Sequence, residues 1–160
     1  MEIREATAID PERLRAFLTE QWHADFVVAH DEPMRPAELP GFVAVDDDGI
    51  VGHAAYRIAG DSCELVAIVG DPPRRGAGSA LLERVVAAAR AAGCSRVWLT
   101  TTNDNVDAMR FYQSRGFQFV SLRSGAIDRA RTRWKPELPI NGAYGIPMHD
   151  ELDLELSFDR

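Results

Sequence analysis

The chain has 160 residues, 46% of them apolar, and a formal net charge of −7. This length suits one domain with a substantial core, and the acidic balance argues against nucleic acid as the main partner. No apolar run approaches the roughly 20 residues that cross a bilayer, and the charged residues 1–5 do not resemble a signal peptide. Cys63 and Cys94 lie within apolar patterns, which predicts reduced core residues of a cytoplasmic protein.

The first half of the chain predicts one helix and four strands. Ile3 lies in a short strand, and Asp10 can cap a helix that has proline at its first position. Turn-rich residues 22–40 follow. The remaining strands form a hairpin over 42–46 and 50–58, which turns at residues 47–49, and a central strand over 62–69.

The second half alternates helices and strands before a long insertion. The periodicity predicts, in chain order, a helix over 81–92, a strand over 96–101, a helix capped by Asn103 or Asn105, and strands over 117–122 and 152–158. Residues 124–150 separate the last two strands. Their first part, residues 126–134, has the composition of a helix.

The segment between the central strand and the helix over 81–92 indicates an anion site. Residues 74–79 read Arg-Arg-Gly-Ala-Gly-Ser. Glycines let the backbone approach a ligand closely, and the free N–H groups of a helix start attract phosphate. The mononucleotide-binding loop is excluded because no Gly-Lys-Ser/Thr ending follows, and the dinucleotide fingerprint is excluded because Leu81 occupies its third small position.

A second motif specifies the phosphate ligand. The pattern Asn-x-x-Ala-x-x-Phe-Tyr-x-x-x-Gly-Phe occupies Asn105, Ala108, Phe111, Tyr112, Gly116 and Phe117. Together with Gly76 and Gly78 upstream, it resembles the GCN5-related N-acetyltransferase (GNAT) superfamily, whose first motif binds the pyrophosphate of acetyl-CoA. Pro73 departs from the Gln or Arg of that motif.

The resemblance implies a fold and a domain organisation. The fold would be the α/β GNAT fold, a twisted mixed and mostly antiparallel sheet of six to seven strands flanked by helices. Residues 1–160 would form a single acetyltransferase domain, with residues 124–150 as an insertion between the last two strands.

The resemblance also implies a cofactor site. Acetyl-CoA would be the co-substrate, and no metal is expected. The turn residues that would hold the pyrophosphate are Arg74, Arg75, Gly76, Ala77, Gly78 and Ser79. Ile68 and Val69 would pair with the pantetheine arm as an added strand does. Asn105 would contact the arm near the thioester, or cap its helix, or do both.

Two residues are candidates for proton transfer. Tyr112 matches the general acid of the family, which protonates the departing thiolate; its alternative role is that of a core aromatic. Glu64, which we expect on the same strand face as Ile68, is the candidate general base; its alternative role is a solvated or ion-paired strand end. The rival bases are histidines 23, 30, 53 and 149.

These features predict an N-acetyltransferase that transfers the acetyl group directly from acetyl-CoA to an amine in a ternary complex. The acceptor would be a small-molecule or peptide amine, with no nucleic acid or membrane partner, and a homodimer is possible. Residues 22–39 and 124–149 would supply the acceptor surface, and Asp31 with Glu32 would suit a cationic amine. The alternative function is a non-catalytic acyl-CoA-binding sensor or assembly module, which needs the same turn but no acid at Tyr112.

Overall fold

The computed structural model describes residues 1–22, 26–71, 73 and 75–159. Within these residues there are nine strands and four α-helices. In chain order they are β1 (Glu2–Glu5), α1 (Pro11–Trp22), β2 (Val27–Ala29), β3 (Glu32–Met34), β4 (Gly41–Asp46), β5 (Gly49–Ala59), β6 (Ser62–Gly70), α2 (Ala77–Ala91), β7 (Arg96–Thr102), α3 (Val106–Gln113), β8 (Gln118–Arg123), α4 (Ala126–Arg133) and β9 (Glu151–Ser157).

Seven of the strands form one mostly antiparallel sheet, and the chain divides into two compact units. In the first unit, residues 1–27 and 34–97, the strand order is β1-β4-β5-β6, and each neighbouring pair is antiparallel. In the second unit, residues 28–33 and 98–160, β9 lies between β7 and β8. This mixed α/β architecture confirms the predicted fold class.

The two faces of the sheet in the first unit are covered by different helices. On one face, an added Cβ at Gly52 of β5 would lie 2.9 Å from Cδ1 of Leu81 in α2, so α2 packs directly on the glycine backbone. On the other face, Val43 of β4 packs with Leu14 and Leu18 of α1. Helix α1 begins as predicted, because the Asp10 side chain accepts the amide of Arg13.

Strand β6 contains a bulge that the sequence does not reveal. Ala55 of β5 lies opposite Ala67, but the next residue, Tyr56, lies opposite Leu65. Val66 is therefore an extra residue in β6. A bulge of this kind changes which side chains share a face of the strand.

The bulge corrects one expectation about Glu64. Glu64 lies opposite Arg57, and Arg57 shares a face with Ala55, whose partner is Ala67. Glu64 therefore lies on the face of Ala67. The expectation that it shares a face with Ile68 is wrong.

A hairpin formed by β2 and β3 is also missing from the sequence-based elements. Its two turn residues, His30 and Asp31, have φ of 52° and 58°, which is the left-handed region usually taken by Gly or Asn. Contacts from residues far along the chain hold this turn: Glu151 accepts the amide of His30, and Arg133 pairs with Asp31. Local sequence signals do not encode such contacts, so the segment reads as a loop.

Cys63 and Cys94 are both free and buried. None of the helices among the described residues is long and apolar enough to cross a membrane.

Candidate active site

The turn before α2 is shaped by its glycines. Gly76 precedes the helix with φ of 87°, a conformation that a side chain disfavours. Its carbonyl accepts the amide of Ala80 at 3.1 Å, which is the first hydrogen bond of the helix. The amides that come before Ala80 lie in the helix start, where N–H groups have no intrahelical acceptor. The start of α2 therefore has the free N–H groups that an anion-binding site requires.

The start of the turn is tied to the first unit. The amide of Asp71 donates to the carbonyl of Val51 at 2.9 Å, and the side chain of Gln21 donates to the Asp71 carboxylate at 2.9 Å. An added Cβ on Gly70 would lie 3.3 Å from the Cβ of Ala77. The backbone on both sides of the turn is therefore closely packed.

The predicted cofactor residues take up several positions around this turn. Arg75 is exposed and lines a cavity of about 200 Å³ together with Asp46, Val51, Asp71, Ala77 and Met1. Ile68 and Val69 are half-buried residues near the end of β6, opposite Ala54 and His53. Arg74 lies outside the described residues. The contacts that these residues, Gly78 and Ser79 would make with a bound cofactor stay predictions.

Helix α3 carries the second motif. The side chain of Asn105 caps the helix by accepting the amide of Ala108 at 3.2 Å, and the residue is exposed. Tyr112 is 5% exposed, and its ring lies 5.3 Å from that of Phe117 and 5.2 Å from that of Phe111. Burial raises the pKa of the Tyr112 phenol well above its ordinary value. A phenol in this state donates a hydrogen bond more readily than it gives up its proton.

Glu64 is buried and paired. Its Oε1 accepts a hydrogen bond from Nε of Arg57 at 2.7 Å, and its side chain is 5% exposed. The pairing keeps the carboxylate satisfied inside the first unit. A general base must release such a bond or act through its second oxygen, so the role of Glu64 stays a prediction.

His53 does not have the surroundings of a proton-transfer group. It is fully buried, and neither ring nitrogen has a hydrogen-bond partner among the described residues. Burial lowers the pKa of the imidazole to about 4, so the ring is neutral at pH 7.

The second unit brings together a polar cluster that the sequence did not reveal. Asp153 of β9 accepts hydrogen bonds from the hydroxyls of Thr100 at 2.7 Å and Ser121 at 3.0 Å, and from Arg123 at 2.8 and 2.9 Å. The same carboxylate lies 3.2 Å from Nε2 of His30. These bonds, above all that of Arg123, hold the pKa of Asp153 down at about 2 despite burial.

The acidic character expected of the hairpin turn is largely neutralised. The carboxylate of Asp31 accepts hydrogen bonds from Arg133 at 2.5 Å and from Nε1 of Trp134 at 2.8 Å. It therefore faces a cation already, and the expectation that it attracts a cationic amine loses its main support.

Residues 124–150 form helix α4 and a loop that side-chain hydrogen bonds hold in place. Arg131 donates to the carbonyls of Leu138, Pro139 and Met148. The side chain of Asn103, just before α3, donates to the carbonyl of Pro147 and accepts the amides of His149 and Asp150, while Tyr144 bonds to Asp107 of α3. The insertion is thus attached to the start of the helix that carries Asn105 and Tyr112. Ile140 and Tyr144 remain exposed.

Comparisons with known proteins identify the family. Residues 6–117 match the model of the Acetyltransferase (GNAT) family. The chain belongs to the GNAT acetyltransferase family. It is 39% identical to the uncharacterized protein YdhI of Bacillus subtilis strain 168 over 140 aligned residues. The alignment covers 87% of each chain. It is 33% identical over 153 residues to the uncharacterized protein YxbD of the same organism, with 95% of this chain and 96% of that one covered.

A solved structure supports the fold of this acetyltransferase. A GNAT family acetyltransferase from Elizabethkingia anophelis with acetyl-CoA bound superimposes with a TM-score of 0.70 at 18% identity, over 98% of this chain and 97% of that one. The family match includes the turn and α3 but ends before β8. The Arg123, Glu151 and Asp153 cluster therefore lies outside the part of the chain that identifies the family. Among the described residues of the acetyltransferase, no group of three or more His, Cys, Asp and Glu side chains is placed to hold a metal ion.

Proposed function

We propose that this GNAT acetyltransferase transfers the acetyl group of acetyl-CoA directly to the nitrogen of a small-molecule or peptide amine, within a ternary complex. The observation that carries the proposal is the start of α2, which follows a glycine in the left-handed conformation. Such a start offers a row of amides and a partial positive charge to a pyrophosphate. The acetyl-CoA bound to the Elizabethkingia anophelis neighbour supports the same ligand class.

In this proposal the turn binds the cofactor and the strand before it guides the thioester. The amides of Gly76, Ala77, Gly78 and Ser79 would hold the pyrophosphate, with Arg74 and Arg75 adding charge. Ile68 and Val69 would pair with the pantetheine arm. Asn105 would hold the arm near the thioester with its exposed amide nitrogen, because its Oδ1 already caps α3.

Tyr112 would assist the departure of CoA. The buried phenol would donate a hydrogen bond to the sulfur as the C–S bond breaks and would stabilise the negative charge that develops on the departing thiolate. A raised phenol pKa keeps this group protonated over the whole working range. Simple binding of acyl-CoA would not need a proton donor here, which favours the enzyme over a non-catalytic binding module.

The decisive experiment measures thiol release from acetyl-CoA in the presence of a panel of amines: polyamines, aminoglycosides, amino acids and peptides with free N-termini. We expect turnover with one class of amine and a product heavier by one acetyl group. Calorimetry with CoA provides the second arm. Tight CoA binding without turnover on any amine would favour the acyl-CoA-binding module, and absence of CoA binding would contradict both functions.

A further inference from the structure

The short segment before α3 holds Asn105 in a defined backbone conformation. The amide of Val106 donates to the carbonyl of Asp104 at 2.8 Å, and Asn105 between them has φ of −82° and ψ of 64°. These angles and this hydrogen bond define an inverse γ-turn centred on Asn105. The amide of Asn105 in turn donates to the carbonyl of Thr102 at 3.0 Å. Two successive turns therefore set the direction in which the Asn105 side chain leaves the backbone.

The first residue of this γ-turn, Asp104, has a buried side chain that is held through both of its oxygens. The residue is 6% exposed. Oδ1 accepts a hydrogen bond from the hydroxyl of Thr102, and Oδ2 accepts the amide of Ala143 at 2.9 Å. The carboxylate lies one residue before the N-cap of α3, where the free amides of a helix start favour negative charge. A change in the γ-turn would break the contacts of a buried polar group, which is costly.

The insertion closes directly over this carboxylate. A Cβ added to Gly142 would overlap the side chain of Asp104. The φ of Gly142 is −96°, which lies outside the region that favours glycine, so the need for glycine here comes from the close approach to Asp104. Asn103, the residue before Asp104, joins the same loop by donating to the carbonyl of Pro147 at 2.8 Å. The insertion thus fixes the side chain that begins the γ-turn.

We propose that Asp104 is a positioning residue, which holds the γ-turn so that the amide nitrogen of Asn105 is directed at the pantetheine arm of CoA. The inference rests on the proposed function, which assigns that contact to Asn105. The hydrogen bond from the amide of Ala108 fixes the Asn105 side chain relative to α3, and Asp104 fixes the backbone from which the side chain extends. The insertion therefore supports the cofactor site through residues 142 and 143, apart from the carbonyls that Arg131 binds.

A second aspartate at the start of α3 provides a comparison. The carboxylate of Asp107 accepts a hydrogen bond from the hydroxyl of Tyr144 at 2.9 Å, so it also attaches the insertion to α3. Asp107 lies within the helix, after the γ-turn, and is exposed. It therefore shares the attachment of the insertion with Asp104 but does not hold the backbone of Asn105.

The test measures the dissociation constant of CoA by calorimetry, without an acceptor. Asp104→Ala releases the γ-turn and should weaken binding about fivefold, as the loss of one hydrogen bond does. Asp104→Asn keeps an oxygen for the amide of Ala143 and a donor for the hydroxyl of Thr102, so it should bind CoA as wild type does. Asp107→Ala should change the constant less than about twofold. Gly142→Ala displaces the carboxylate without deleting it and should match Asp104→Ala, so it serves where that variant does not fold.

A double-mutant cycle separates positioning from general stabilisation. Asn105→Ser keeps a capping oxygen but removes the amide nitrogen, and it should weaken CoA binding about fivefold. In that background Asp104→Ala should have no further effect, because the group that it positions is gone. Additive losses, wild-type affinity in Asp104→Ala and Gly142→Ala, or equal losses in Asp104→Asn and Asp104→Ala would overturn the inference alone. Unchanged affinity in Asn105→Ser would overturn the contact assigned to Asn105 and the inference with it, and absence of CoA binding by the wild-type protein would overturn the proposed function.

Discussion

Nε of Arg57 and Oε1 of Glu64 lie 2.7 Å apart on neighbouring strands of the first unit. The Glu64 side chain is 5% exposed and that of Arg57 is 37% exposed. The carboxylate is buried and only the guanidinium is partly exposed, so the hydrogen bond between them is charge-assisted and is screened by solvent on the arginine side. This geometry gives Glu64 a structural role that is separable from catalysis.

The first prediction separates the two roles. Glu64→Gln leaves a partly exposed arginine and should lower the free energy of unfolding by about 1–2 kcal/mol, whereas Arg57→Gln leaves the buried carboxylate without its cation and should lower it by about 3 kcal/mol or more. We expect kcat of both variants to stay within about threefold of wild type. Urea unfolding and steady-state kinetics measure the two effects. A hundredfold loss of kcat in Glu64→Gln alone would instead make Glu64 the general base.

The sequence predicted the elements around the turn because their signals are local. The apolar run of β6, the glycines at 76 and 78 and the helical spacing after them all lie within a short stretch. Asn105 was recognised as a cap for the same reason, since its partner Ala108 is three residues away. The second motif of the family is local as well, because it lies within residues 105–117.

Long-range geometry could not be predicted in the same way. The bulge at Val66 depends on the register between β5 and β6, and it moves Glu64 to another face. The cluster around Asp153 joins residues from β7, β8 and β9 with the hairpin turn at His30. No short sequence pattern predicts such a cluster. The only signal is the three acidic residues at alternate positions of β9, 151, 153 and 155.

The second prediction concerns acid stability. Burial lowers the pKa of His53 to about 4 in the folded state, whereas the unfolded chain takes up the same proton near pH 6.5. The unfolded state therefore binds more protons between these values, and stability falls as the pH drops from about 6.5 to 4. The loss from this residue is about 3 kcal/mol.

His53→Leu tests this directly. Leucine fills a similar volume without the two unpartnered ring nitrogens, so the variant should be as stable as wild type at pH 7 or more so. The difference in unfolding free energy between variant and wild type, measured in urea at pH 7, 5 and 4, should grow in favour of the variant as the pH falls. A difference that stays constant would show that His53 takes up no extra proton on unfolding.

The third prediction uses two glycines that both have a positive φ. Gly76 and Gly60 both have positive φ, 87° and 61°, and an added Cβ at either would meet nothing within 4 Å. Asn at either site carries a similar small backbone cost. Only Gly76→Asn places a side chain where the pyrophosphate would approach. It should weaken CoA binding at least tenfold, which is one lost contact of about 1.5–3 kcal/mol.

Calorimetry with CoA measures this effect, and Gly60→Asn is its control. Gly60 lies in the turn between β5 and β6, away from the start of α2, so its variant should bind CoA as wild type does. Equal affinity in both variants would contradict the assignment of the turn as the cofactor site.

The fourth prediction addresses the buried phenol. Tyr112→Phe keeps the aromatic packing against Phe111 and Phe117 and removes only the hydroxyl. We expect kcat to fall by about a hundredfold or more, with CoA affinity unchanged. Because burial raises the phenol pKa, the wild-type profile of kcat should show no basic limb from this residue up to pH 10. A loss of less than about threefold in kcat would make Tyr112 a core aromatic only.

The fifth prediction tests whether the insertion supports the acceptor site. Arg131 joins the carbonyls of Leu138, Pro139 and Met148, so Arg131→Met should free the loop that follows α4 and leave three carbonyls without their charged donor. Arg129 is exposed on the same helix, and among the described residues its side chain donates to the carbonyl of Ser124 alone, so Arg129→Met is the matched control. We expect the KM for the acceptor amine to rise at least fivefold in Arg131→Met alone, while the dissociation constant of CoA stays unchanged in both variants. Loosened hydrogen-exchange protection over residues 135–148 with an unaltered acceptor KM would mean that the insertion is a scaffold on which the acceptor site does not depend.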